Sequence, residues 1–292
     1  MRKKPFVIDI HTHPAFFEPI CENEADVEFR RKMLGLYKNG KAPLKHIYNQ
    51  MDYAGIDRLV ILPEDLTTNH GGTVVSNEEI KKLVEISPDR FIGFASVDPR
   101  RKDAEEVLEY AFMDLGLSGL KLHPSKQEFY PADKMLEPLY KLCIKYNKPV
   151  LFHAGLSWEP DALSKYSKPE NFEEVAYNYP ELRICLGHFG WPWVKETAAI
   201  MLKYTNVYAD TGLLYFDNAR EFFGHVFEKE LGISWIDRSL RHQVMFGSNN
   251  PRFEQIRMLE ALQGMEFRES TLELILGGNA LRFLGMEGKE NG

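Results

Sequence analysis

The sequence predicts an α/β protein, a (β/α)8 barrel of the TIM type with an insertion after its first strand. Short apolar, β-branched segments recur eight times along the 292 residues, and segments with apolar residues at three- and four-residue spacing lie between them. Strict alternation of strands and helices implies a parallel sheet, and eight such units close into a barrel. An open doubly wound sheet is the alternative, but no GxGxxG motif follows the first strand to hold a nucleotide. We therefore expect one domain over residues 1–292.

The strands are predicted from short apolar runs that end in polar residues or turn formers. They cover residues 5–11, 57–62, 90–96, 118–123, 149–154, 182–188, 206–211 and 242–248. The helices between them cover residues 44–54, 76–86, 101–115, 133–146, 170–178, 193–203, 217–231 and 252–263. Prolines or glycines that suit helix ends follow several of these segments: Pro88, Pro149, Pro180, Gly55, Gly116 and Gly232.

Three segments are longer than a compact barrel repeat needs. They cover residues 14–43, 63–75 and 155–170, and each follows the carboxyl end of a predicted strand. That end of a barrel is where active sites are built, so these loops are candidate walls of a pocket. The 14–43 insertion contains an amphipathic helix candidate, and we expect it to act as a lid or as a dimer contact.

Composition excludes several classes of protein. Hydrophobic residues make up 44% and charged residues 27% of the chain, which is typical of a soluble globular protein. The net charge of -7 comes without a basic stripe, so nucleic acid is not an expected partner. No apolar run approaches the roughly 18 residues of a membrane span. The cysteines are scattered outside any CxxC motif, which indicates reduced thiols and a cytoplasmic protein: Cys21, Cys143 and Cys185.

Five of the nine histidines lie at or just after the carboxyl end of a predicted strand. They are His11, His13, His123, His153 and His188. His11 and His13 are two residues apart on one strand, so both side chains project from the same face. Because barrel strands converge at this rim and imidazole is a common ligand of zinc-like ions, the pattern predicts a functional, metal-binding cluster. Core histidines held by ordinary hydrogen bonds are the alternative.

Six motifs in order resemble one known family. They read DIHTHP, GLKLHP, LFHAG, LGHFGWPW, MFGSNNPRF and LILGGNALRFLG. This series resembles the amidohydrolase-related branch of the amidohydrolase superfamily, which includes aminocarboxymuconate-semialdehyde decarboxylase-like enzymes. The resemblance runs from residue 5 to about residue 285 and implies a metal-dependent barrel enzyme.

The resemblance implies roles for individual residues. His11, His13 and His153 would bind one divalent metal, with zinc expected first and manganese or iron as alternatives. His188 would assist proton transfer beside the metal. The resemblance also implies a homodimer.

One position departs from the family pattern. The family's strand-8 motif usually contains an aspartate that binds the metal or its water, and this chain has Asn249 there. A neutral amide adds no charge to the cation and cannot act as a general base, so metal binding should be weaker. Three solutions stay open: His188 takes the role of base, Glu64 or Asp210 supplies the carboxylate, or the protein works with little or no metal.

Other residues are candidates for binding a substrate or for supporting the ligands. Lys121 and His123 share a face of strand 4, and Lys121 would meet a substrate carboxylate or form a structural ion pair. Arg252 could hold an anion in a bidentate manner. Asp9 could orient a ligating imidazole. Tryptophans could line an aromatic pocket, namely Trp158 and Trp191.

The favoured function is hydrolysis of an ester, lactone or amide bond in a small, carboxylate-bearing substrate, with metal-activated water and His188 moving the proton. The first alternative is non-oxidative decarboxylation of an unsaturated or aromatic acid. The second alternative is a metal-free or non-catalytic relative that binds a small molecule, and Asn249 is the residue that keeps it open.

Overall fold

The computed structural model describes residues 5–213 and 218–288, and within them eight parallel strands form a barrel. The strands are β1 Ile8–Thr12, β2 Arg58–Ile61, β3 Phe91–Gly93 with its continuation Ala95–Ser96, β4 Leu120–Leu122, β5 Val150–Phe152, β6 Ile184–Leu186, β7 Val207–Asp210 and β8 Val244–Met245. Each strand pairs in parallel with the next. The Ile10 amide donates to the Phe246 carbonyl at 3.0 Å and joins the last strand to the first. The predicted TIM barrel is confirmed.

Helices form an outer layer around the strands. They are α1 Glu24–Leu34, α2 Leu44–Ala54, α3 Asn77–Ile86, α4 Ala104–Met113, α5 Glu137–Lys145, α6 Glu173–Asn178, α7 Val194–Lys203, α8 Ala219–Phe223, α9 Gln255–Gln263, α10 Glu269–Glu273 and α11 Asn279–Leu284. The sequence predicts a helix over residues 217–231, and residue 217 lies outside the described part. In the rest of this range, α8 is followed directly by a π-helical segment, Gly224–Glu230. None of the helices in the described residues is both long and apolar enough to cross a membrane.

Two apolar layers hold the barrel together. One lies between the strands and the helices, and the other fills the barrel interior below the histidines. The carboxyl-terminal helix α11 belongs to the inner layer, where Phe283 packs on Tyr208 with ring centroids 5.2 Å apart. Just before it, a side chain at Gly277 would collide with the backbone carbonyl of Phe6, so a glycine is needed for this close approach. The end of the barrel opposite the histidines is thus sealed by apolar packing.

The 14–43 insertion is fixed to the barrel by a buried arginine of α1. The Arg30 guanidinium is 2% exposed and donates to the carbonyls of Ala15 at 3.2 Å and Ile20 at 2.8 Å. It also donates to the Glu79 carboxylate at 2.6 Å, and Glu79 caps the start of α3 together with Ser76. Arg30 therefore connects the insertion to the second barrel unit.

We expect Arg30→Met to lower the free energy of unfolding by about 2–4 kcal/mol, because two buried carbonyls and a carboxylate lose their donor. Urea denaturation followed by circular dichroism measures this loss. Arg31→Met is the matched control, since Arg31 pairs with the exposed Glu24 and Glu28 and donates to the Asn39 carbonyl, so its substitution should lower the free energy of unfolding clearly less. Equal losses in the two variants would contradict the anchoring role of Arg30.

Candidate metal centre and active site

The five histidines predicted to meet at the carboxyl rim do meet there, and all of them are nearly buried. The Nε2 atoms of His11 and His13 are 3.3 Å apart. The Nε2 of His188 lies 3.0 Å from the Nδ1 of His153. His123 stacks on His153 with ring centroids 3.9 Å apart. The sequence prediction of a histidine cluster is therefore correct in its geometry.

A buried aspartate at the end of β7 organises this cluster. The His11 Nδ1 lies 2.9 Å from the Asp210 Oδ2, and Asp210 Oδ1 accepts the backbone amides of His188 at 3.0 Å and Gly212 at 2.9 Å. Burial raises the pKa of Asp210, against the lowering by His188 and the two amides. Since a carboxylate accepts hydrogen bonds, the His11 proton sits on Nδ1 and its Nε2 lone pair faces His13.

His188 is held in one tautomer by the backbone. Its Nδ1 lies 2.6 Å from the carbonyl oxygen of Gly212 and must donate to it. Burial lowers the pKa of His188 to about 3, so the ring is neutral at pH 7 and its Nε2 carries a lone pair. The His188 backbone has a φ of 58°, a conformation uncommon for residues other than glycine, which is maintained by the Asp210 contact to its amide.

His11 and His13 have the spacing of two ligands of one divalent metal ion. Two nitrogens that bind one zinc ion at 2.0–2.1 Å in tetrahedral geometry lie about 3.3 Å apart, and this is the separation of the His11 and His13 Nε2 atoms. The Nδ1 of His13 and the Nε2 of His153 are buried and have no hydrogen-bond partner among the described residues. Burial lowers the pKa of all three rings well below the usual value, so they are neutral, as ligation requires. Among the described residues, the group of three whose potential ligand atoms all lie within 4.8 Å of one another is His11, His188 and Asp210, rather than the predicted His11, His13 and His153.

Asn249, the residue that replaces the family aspartate, lies at the cluster. Its side chain lines the cavity, and its backbone amide donates to the His11 carbonyl at 2.9 Å. Its φ of 60° is in the left-handed region that Asn and Asp tolerate better than other side chains. The backbone at this position is therefore compatible with either residue.

A small cavity of about 30 Å³ opens beside the histidines. Its lining combines imidazoles, charged groups and apolar residues: His13, Leu34, Leu36, Glu64, His123, Lys126, His153, Trp158, Glu159, His188, Asn249, Pro251 and Arg252. Three predicted substrate-binding residues, His123, Trp158 and Arg252, are among them. Leu34 and Leu36 come from the 14–43 insertion, so this segment contributes to the wall.

Two predicted substrate-binding residues do not line this cavity. Lys121 is 1% exposed and lies deeper in the barrel, where burial lowers its pKa to about 8. Trp191 packs against Phe222 with ring centroids 5.5 Å apart. The alternation of β4 explains the first correction, because Lys121 shares the face of His123 but lies one layer below it.

The cation that the sequence reasoning missed is Lys126, one turn after His123. Its Nζ donates to Glu64 Oε2 at 3.0 Å and to the Met33 carbonyl at 2.9 Å. Burial lowers the pKa of Lys126, but the charges of Glu64 and Glu159 outweigh this and raise it above the usual value. Lys126 is therefore charged, and only its position after the GLKLHP motif could have indicated it.

Asp9 does not orient an imidazole, which corrects the expectation from sequence. Its carboxylate accepts hydrogen bonds from Ser248 Oγ at 2.6 Å, Gln255 Nε2 at 2.9 Å and Thr12 Oγ1 at 3.1 Å. These contacts join β1 to the segment after β8, and Asp210 is the residue that contacts a ring. Asp9 is two residues before His11 on β1, so its carboxylate lies one layer deeper in the barrel than the His11 ring. The carboxylate that contacts this ring is that of Asp210, at the end of β7.

Sequence comparisons support the family suggested by the motifs. The amidohydrolase family profile matches residues 8–286. The chain is 24% identical over 237 residues to 2-amino-3-carboxymuconate-6-semialdehyde decarboxylase of Dictyostelium discoideum. That match covers 72% of this chain and 66% of the relative, slightly less than two thirds of its length.

Solved structures share the fold. A TIM-barrel protein of Bordetella bronchiseptica has a TM-score of 0.75 at 23% identity, covering 97% of this chain and 99% of its own. Dihydroxybenzoic acid decarboxylase of Polaromonas sp. JS666, solved with manganese and the inhibitor 2-nitroresorcinol, has a TM-score of 0.64 at 16% identity and covers 99% of both chains. The profile match spans nearly all of the sequence, and the chain therefore belongs to the amidohydrolase family.

Proposed function

We propose that this protein is a metal-dependent decarboxylase of a small unsaturated or aromatic carboxylic acid. The observation that carries the proposal is the pair of cations, Lys126 and Arg252, that line the same cavity as the histidine cluster. Such a cavity can hold an organic acid with its anionic end toward the cations and its reacting carbon toward the histidines.

The charge of the site supports an anionic substrate. The charged side chains at and beneath the cavity roughly balance, with Lys121, Lys126 and Arg252 against Glu64, Glu159 and Asp210. A divalent metal held by three neutral imidazoles would leave a clear positive excess. An organic carboxylate neutralises part of this excess, whereas a neutral ester or amide does not.

His11, His13 and His153 would hold the metal, and Asp210 keeps the His11 lone pair directed at it. A divalent ion held there, zinc or manganese, would supply Lewis-acid polarisation of a substrate oxygen. His188 could take a proton at Nε2 in place of the hydrogen bond that this atom accepts from His153 Nδ1, while its own Nδ1 stays bonded to the Gly212 carbonyl. In decarboxylation the bond to the carboxylate carbon breaks, carbon dioxide leaves, and a proton replaces it on the substrate carbon.

The relatives support decarboxylation rather than the hydrolysis that the sequence favoured first. One is named a decarboxylase of an unsaturated amino acid derivative and another a decarboxylase of a dihydroxybenzoic acid.

The test is a parallel assay on protein loaded with zinc or manganese. Dihydroxybenzoates are incubated with the enzyme and carbon dioxide release is measured, while a panel of esters and lactones is monitored for proton release. Carbon dioxide release that depends on metal supports the proposal. Turnover of esters or lactones alone would establish hydrolysis, and metal binding without any turnover would favour a binding protein.

We expect Asn249→Asp to bind metal about tenfold more tightly, because a carboxylate adds a negative ligand or neutralises the ion nearby. Chelator competition followed by plasma mass spectrometry measures the change. Asn250→Asp is the neighbouring control, since the Asn250 amide donates to the Phe253 carbonyl rather than lining the cavity. The wild-type protein should still decarboxylate its substrate. Decarboxylase activity found only in Asn249→Asp would contradict the proposed function of the natural chain.

A further inference from the structure

Glu159, in the 155–170 loop after β5, lies between the two cations of the cavity. Its Oε1 is 3.3 Å from the Arg252 Nη2 and 3.8 Å from the Lys126 Nζ. Its Oε2 accepts a hydrogen bond from Ser157 Oγ at 2.6 Å. A carboxylate of the protein thus fills the place where the two cations would bind the carboxylate of a ligand.

The two cations do not depend on Glu159 for their position. Lys126 is also held by Glu64 at 3.0 Å and by the Met33 carbonyl at 2.9 Å. Arg252 donates to the Leu34 carbonyl at 2.6 Å. If Glu159 left, each cation would keep a fixed partner and stay directed at the cavity.

Glu159 belongs to a loop segment without regular secondary structure. In the 155–170 loop, residues 156–163 form neither helix nor strand. The neighbouring Trp158 is 51% exposed although it lines the cavity. Within the described residues, the polar contacts of the Glu159 side chain are the one to Ser157, in the same loop, and the two to the cations, while its carbonyl accepts the Ala162 amide of that loop.

The cavity as it stands is too small for an organic acid. Its volume of about 30 Å³ corresponds to roughly one water molecule, whereas sites for small organic ligands have roughly 300–1,000 Å³. A groove of about 460 Å³ lies outside it. Cavity and groove share four lining residues, Lys126, Trp158, Glu159 and Arg252. Displacement of Glu159 and Trp158 would therefore join the two spaces.

We propose that Lys126 and Arg252 form the carboxylate-binding subsite and that Glu159 occupies it as an internal carboxylate, which the carboxylate of the substrate displaces. This inference rests on the proposed function in taking an organic carboxylate as the ligand. Glu159 acts as a specificity-determining residue: an anion regains the ion pairs that Glu159 gives up, and a neutral molecule of the same shape does not. The exchange keeps the charge of the subsite constant while it opens the cavity.

The test compares benzoate with its neutral isostere benzamide by isothermal titration calorimetry on metal-loaded protein. Glu159→Gln keeps the size of the side chain and an acceptor for Ser157, but removes the charge that competes with the ligand. We expect benzoate to bind about tenfold more tightly to this variant than to wild type, because an uncharged glutamine no longer competes with the ligand carboxylate for Lys126 and Arg252. Benzamide forms no ion pair with the two cations and should gain much less.

Two further variants make the outcome specific. Glu254→Gln removes a charge from an exposed glutamate that pairs with Arg257, and should leave benzoate affinity unchanged. Adding Arg252→Gln to Glu159→Gln should abolish the gain. The inference is overturned if benzoate affinity does not rise in folded Glu159→Gln, if benzamide gains as much, or if neither protein binds benzoate. Because the readout is binding, absence of decarboxylation in the wild type would refute the proposed function without deciding this exchange.

Discussion

The His11→Ala/His13→Ala variant is expected to purify with almost no metal and to lose at least about 10³-fold in decarboxylase activity, because the metal supplies several kcal/mol of charge stabilisation. The Nε2 atoms of His11 and His13 are 3.3 Å apart in the barrel rim, the separation expected for two ligands of one zinc ion. Plasma mass spectrometry of protein purified without chelators should find about one divalent ion per wild-type chain.

The control for this variant is His225→Ala, which removes an exposed histidine distant in sequence from the rim motifs. It should keep the wild-type metal content and activity. Circular dichroism melts of all three proteins separate loss of metal from loss of fold. Wild-type protein that neither carries metal nor is stabilised by added zinc or manganese would show that the histidine cluster has a metal-free role.

The barrel could be predicted because its signals are local. Each buried strand is a short apolar run, and all eight predicted strands overlap strands of the structure. The helices α10 and α11 were not predicted. For α11 the reason is that the motif LILGGNALRFLG has two glycines inside a π-helical turn, Leu274–Gly278, which disturbs the helical period. The docking of this segment on the barrel end depends on tertiary contacts such as that of Gly277 with Phe6.

Site residues could be predicted from the sequence only where they lie at the end of a predicted strand. The five histidines end strands, and barrel closure brings strand ends together, so their cluster follows from the pattern. Lys126 and Glu159 reach the cavity through contacts between separate loops, which no local pattern encodes. Three expectations stay predictions: that residues 1–292 form one domain, that residues 14–43 act as a lid or dimer contact, and that the protein is a homodimer.

Asp210→Asn should give the second large effect through a change of tautomer rather than through loss of a ligand. The Asp210 carboxylate accepts from two backbone amides on Oδ1 and from His11 Nδ1 on Oδ2. An asparagine can keep its oxygen toward the amides, but its NH₂ group then faces His11 and requires an acceptor there. The His11 proton must move to Nε2, which removes the lone pair directed at His13.

We expect this substitution to weaken metal binding about 10–100-fold and to lower kcat/KM further, by about 10³-fold, at subsaturating metal. Chelator competition and steady-state assays over a range of metal concentrations measure the two effects. The matched control is Asp98→Asn, a buried carboxylate after β3 that accepts the amides of Thr68 and Arg100 and contacts no imidazole in the described residues. If Asp210→Asn binds metal as tightly as Asp98→Asn, then His11 does not depend on Asp210 for its tautomer, and the ligand set must be sought among His188 and His153 instead.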